Sequence, residues 1–193
     1  MKKLIALLLS VLMVLSMAAC GEKTDDEKDG GKEENKVAVP ESALEILEKT
    51  WEKFGDEEKF PVMGGDFDAP VDGNPGKVTN SEYMIYSLLV PEADAEKVTD
   101  AASLVHGMMQ NNFTCGVFRV EDAKAFAETM KGAVENNQWM CGMPESMLVA
   151  VIGGEYVLMA YGINDALTPF KTHLTEVYTG NEIQIIADAA ITG

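Results

Sequence analysis

The sequence predicts an α+β fold: a small mixed or antiparallel sheet with helices packed on one face, after a leader and a disordered tether. Two apolar runs, 147–152 and 156–161, flank Gly153-Gly154 and read as a hairpin, which pairs its strands antiparallel. Residues 121–136 carry Phe126, Met130 and Val134 at helical spacing, so helices and strands share one core. Apolar residues make up 47% of the 193, enough for one domain with a real core and too many for global disorder.

The folded part, 40–193, starts at Pro40. Ser42 and Glu45 form a capping-box pattern, and Leu44, Leu47, Trp51 and Phe54 follow at helical spacing until Gly55. Residues 56–80 hold Pro61, Gly64, Gly65, Pro70, Gly73, Pro75 and Gly76 with no regular period, and read as a long irregular loop. Residues 83–90 (YMIYSLLV) are aromatic and branched and stop at Pro91, which predicts a strand. Residues 94–110 repeat Val98, Ala101, Ala102, Val105, Met108 and Met109, which predicts a helix. A short strand over 113–120, the helix 121–136 and the hairpin come next. Leu167, Phe170, Leu174 and Val177 give a last helix with Thr168 as cap and Pro169 in its first turn. Ile183, Ile185 and Ile186 suit an edge strand.

The first 39 residues are of another kind. Lys2-Lys3 precede an apolar run over 4–17, which at 14 residues is too short to span a bilayer. Ala18-Ala19-Cys20 follows, and this layout resembles the lipobox of bacterial lipoproteins, with Met17 where Leu is commonest. The resemblance implies a signal peptide over 1–19 and lipidation of Cys20. The plainer alternative is an ordinary secretory leader with Cys20 a bystander. Residues 21–39 contain seven acids, four lysines and three glycines, too polar to offset their ordering entropy. They read as a tether reaching about 20–25 Å.

Lys+Arg number 15 against 32 Asp+Glu, a net charge of −17. Such a surface excludes nucleic acid, whose phosphates need clustered Lys and Arg, and leaves the lipid anchor as the expected route to a membrane. Four groups of residues carry possible chemistry. Cys115 and Cys141 can form a disulfide in an exported domain, or stay as reduced thiols. His106, Met108, Met109, Met140, Cys141 and Met143 are soft ligands of the kind that suit Cu(I), although a Met on an apolar helix stripe is ordinary core filler. Asp66, Asp68 and Asp72 offer hard oxygens for Ca²⁺, but their spacing lacks the EF-hand order and a solvated acidic loop is the expectation. His106 and His173 each fall on an expected helix, outside any nucleophile or metal motif. Trp139, Tyr156 and Tyr161 suit either a small pocket or the core.

The lipobox, the acidic tether and the segments 101–114 (AASLVHGMMQNNFT), 138–144 (QWMCGMP) and 154–157 (GEYV) together are similar to small uncharacterised lipoproteins of clostridial-type Gram-positive bacteria. That resemblance implies location and fold type only. The expected role is a membrane-anchored extracytoplasmic binding or accessory module, non-enzymatic, without cofactor, with a protein or small-molecule partner that the residues do not name. A copper-binding or thiol-redox lipoprotein using the Met, Cys and His groups is the alternative.

Overall fold

The computed structural model describes residues 39–192, which fall within one compact unit, Lys36–Gly193. The leader, Cys20 and the tether up to residue 38 lie outside the described residues. The class is α+β, with eight strands paired antiparallel throughout.

Helix α1 (Ala43–Trp51) opens the domain. Ser42 Oγ accepts the Glu45 N–H at 3.1 Å, half of the expected capping box, and the Ala43 N–H donates to Asp100 Oδ2 at 2.7 Å. Strands β1 (Val62–Gly64), β2 (Val71–Asp72) and β3 (Gly76–Val78) lie within the stretch expected to be irregular. Their brevity hid them, since two or three residues establish no period.

The next two segments reverse the sequence reading. Residues 83–90 are not a strand: helix α2 (Ser81–Ser87) starts where Asn80 Oδ1 accepts the N–H groups of Glu82 and Tyr83 at 2.8 and 3.3 Å. Capping and burial of Tyr83, Met84 and Ser87 on one face override the β preference of the side chains. Residues 94–110 are not a helix: the short α3 (Glu92–Ala95) gives way to strand β4 (Asp100–His106). Residues 101–105 are all buried, so both faces of β4 are apolar, and a continuous apolar run mimics helical spacing.

Strand β5 (Phe113–Arg119), helix α4 (Ala123–Glu135) and the hairpin β6 (Ser146–Ile152) and β7 (Tyr156–Gly162) match their expectations. Helix α5 (Asn164–Val177) begins a turn earlier than expected, so Pro169 lies inside it and Thr168 is no cap. Strand β8 (Ile183–Ala190) closes the edge against β6.

The sheet order is β2-β1-β4-β5-β7-β6-β8, and β1 and β3 share one edge of β4. Val62 pairs with His106, and Gly76 pairs with Ser103. Where one strand hands over to the other, a Cβ on Gly64 would sit 2.1 Å from the Gly76 nitrogen, so the close backbone approach requires glycine.

Helices cover both faces of the sheet, not one. Ile46, Leu47 and Trp51 of α1 and Phe170 and Leu174 of α5 pack with Leu104, Val117, Leu148 and Leu158. On the opposite face Phe126, Met130 and Val134 of α4 and Met84 of α2 pack with Val105, Phe118, Val149 and Met159. Strands β6 and β7 are buried almost residue for residue, which requires cover on both sides. Among the described residues no helix is long and apolar enough to cross a membrane.

Candidate functional site

The stretch 62–83 builds a cleft at the His106 end of β4. Gly64 and Gly65 leave β1, Gly65 N–H donates to the buried Ser103 hydroxyl at 3.0 Å, and the chain turns out to Phe67. Asp66 fixes that turn. Its carboxylate accepts the Thr79 N–H at 2.9 and 3.1 Å, the Thr79 hydroxyl at 2.7 Å and the Asn80 N–H at 3.1 Å. Burial alone would raise the Asp66 pKa, but these donors from Thr79 and Asn80 outweigh it and hold the carboxyl below its ordinary value. Asp66 is therefore buried structure, contrary to the expectation of a solvated acid, while Asp68 and Asp72 do face solvent. With the Asp66 oxygens committed to protein donors, the three aspartates do not assemble a hard-cation site.

Phe67 is 65% exposed and stands edge-on to Tyr83 at 4.7 Å between ring centroids. With Met63, Val105, His106 and Gln110 these rings line an open cleft of about 310 Å³. The His106 ring stacks on Phe60 at 5.7 Å. Its Nδ1 accepts the N–H groups of Met108 and Met109 at 3.2 and 3.4 Å, which folds the turn after β4. A larger depression between α3 and α4 is lined by Asp94, Lys97, Glu121 and Asp122, where Lys97 and Asp94 already pair at 2.5 Å.

No known family, curated protein or solved structure matches this chain. The site therefore rests on its own geometry.

The thiols are not joined. Cys115 is fully buried on the α1/α5 face of β5, where burial pushes its pKa well up, and Cys141 is exposed. The loop carrying Cys141 packs through Trp139 against the opposite face, with Trp139 and Tyr161 rings 4.8 Å apart. Of the two alternatives, disulfide or reduced thiols, the structure has the second, with one thiol in the core and the other on an exposed loop. Tyr156 and Tyr161 are core residues, 0% and 3% exposed.

The soft ligands are partly assembled. Met108 and Met109 are not on a helix stripe but on the exposed turn after β4, 80% and 46% exposed. They share a shallow pocket with Met140 and Cys141, whereas His106 and Met143 are not in its lining. His173, on α5, lies 3.3 Å from Glu58 and from Glu176, far in sequence from either group. Among the described residues no three His, Cys, Asp or Glu side chains gather as a metal site, so any metal here would rely on thioethers. The sequence reading missed the cleft, because its walls come from a stretch without period. The glycine pair at 64–65 facing Gly76 was the available signal.

Proposed function

We propose that this protein is an extracytoplasmic lipoprotein, held to the cell membrane through an acylated Cys20, that acts as a non-enzymatic binding module. Its likeness to small clostridial-type lipoproteins belongs to the same proposal. The observation that carries the binding role is the cleft beside β4. An exposed aromatic ring is held over a second ring, with glycine backbone beneath and an apolar wall from Met63 and Val105. Phe67 and Met63, 65% and 39% exposed, both line the cleft, and exposed apolar side chains gathered at a concave site suit recognition. The ligand class this favours is small and mainly apolar, neutral or cationic, because residues 40–193 hold 25 acids against 9 bases.

Two measurements test the proposal separately. In detergent phase partition of the full chain expressed in a bacterial host, the wild type enters the detergent phase and Cys20→Ala stays aqueous; equal partitioning of both removes the anchor. For the cleft, Nile red serves as a neutral apolar probe. Phe67→Ala should weaken dye binding at least about tenfold while leaving the thermal midpoint within about 2 °C, as expected for an exposed side chain. Unchanged dye binding removes the cleft.

A further inference from the structure

We propose that the two methionine loops form a surface site for a soft monovalent metal ion, Cu(I) or its analogue Ag(I), with Met108, Met109, Met140 and Cys141 as ligands. This site does not depend on the proposed binding role and adjoins the cleft through Met108 and Gln110, which line both.

Three observations carry the inference. First, the donors converge. Two stretches about thirty residues apart in sequence supply three thioethers and one thiol to a single shallow pocket of about 280 Å³. The remaining lining, Gln110 and Asn111, is neutral. Second, the loops are tied together. Asn111 Nδ2 donates to the Met140 carbonyl at 2.8 Å and to the Gly142 carbonyl at 2.5 Å, so a residue of the first loop grips the backbone on both sides of Cys141. His106 Nδ1 fixes the first loop itself by accepting from Met108 and Met109. Cys141 itself has φ of +62°, a left-handed conformation that a non-glycine residue adopts only when its surroundings impose it. Third, the methionines have no packing role to explain them. Met108 and Met140 are 80% and 79% exposed, while Met84, Met130, Met147 and Met159 fill the core. Exposed thioethers on tied loops are available as ligands.

The chemistry selects the ion. Thioethers are soft and neutral, and thiolate is soft and anionic, so the set suits Cu(I) and Ag(I). With one thiolate and three thioethers the complex with a monovalent ion is neutral, whereas Zn²⁺ or Ca²⁺ would find too little charge and no carboxylate or imidazole in the lining. On binding, the Cys141 S–H bond breaks, a sulfur–metal bond forms and one proton leaves to solvent; no electron is transferred.

The test is titration of the full-length chain carrying C20S, which leaves Cys141 and the buried Cys115 as its only thiols. Cu(I) is supplied anaerobically with ascorbate and the competing chelator ferrozine. The site predicts one Cu(I) withdrawn per chain with one proton released. M108L/M140L should weaken binding at least tenfold, because leucine keeps the bulk and removes the sulfur. C141S should abolish proton release and weaken binding further, while M159L, a core control, changes neither. NMR of the methionine methyl groups on adding Ag(I) gives a second readout, with shifts confined to Met108, Met109 and Met140. Failure to compete with ferrozine, equal binding by M108L/M140L, or shifts spread over the core methionines overturns the proposal. C141S and a single M140L leave the cleft lining intact, so their outcomes are read independently of the Nile red result at Phe67.

Discussion

Asp66 shows how one residue can be misjudged by composition. It stands among alternating acids and reads as solvated, yet it is 5% exposed and accepts four hydrogen bonds from Thr79 and Asn80. Nothing local marks it, since its donors lie 13 and 14 residues away. Its lowered folded-state pKa sets the sign of a pH effect. The stabilisation it supplies is fully present above the unfolded value near 3.9 and is lost as pH falls through the lower folded value. Asp66→Asn should therefore destabilise the domain by about 1–3 kcal/mol at pH 7, and by progressively less below about pH 4. Urea unfolding at pH 7 and pH 3 measures the difference. The same substitution at Asp68 or Asp72 should move the urea midpoint little at either pH, since both are exposed.

Elements were legible where a local pattern agreed with the burial that tertiary structure imposes. The β6–β7 hairpin has its glycine turn, α4 has its spaced Phe126, Met130 and Val134, and β8 has its isoleucines. Residues 83–90 and 94–110 exchanged identities because the deciding causes are not periodic. A single Asn80 cap makes the first a helix, and burial between two helical layers makes the second a strand. Of the sites, the methionine groups were legible as clustered soft donors. Their tie through Asn111 was not, because it spans 29 and 31 residues. The separation of Cys115 and Cys141 follows from strand alternation, which assigns Cys115 to the α1/α5 face. In native buffer Cys141 should alkylate readily. Cys115 should react at least about a thousandfold more slowly and only through unfolding, as its full burial requires. Timed alkylation followed by peptide mass spectrometry distinguishes the two, and equal rates or a mass deficit of a thiol pair would contradict the structure.

At the scale of the whole molecule, charge and layering oppose one another. Residues 40–193 carry a net charge of −16 (9 bases minus 25 acids), and the cations present mostly serve local pairs such as Lys49–Glu45, Arg119–Glu155 and Lys131–Glu135. The unpaired acids repel, so raising NaCl from about 10 mM to 500 mM should raise the thermal midpoint by several degrees as the screening length contracts. Scanning calorimetry at three salt concentrations tests this, and a fall in the midpoint would mean that local ion pairs outweigh the repulsion. The layering also has a mechanical consequence. The described chain enters the sheet at α1, whose first N–H is tied to Asp100 at one end of β4, while His106 and the cleft occupy the other end, about 20 Å away along the strand. A force applied through the N-terminus is therefore taken up first by α1 and the Ala43–Asp100 bond. The strand then stands between that load and the cleft like a spar, so tugging on the chain would strip its first helix before it deformed the ring pair of Phe67 and Tyr83.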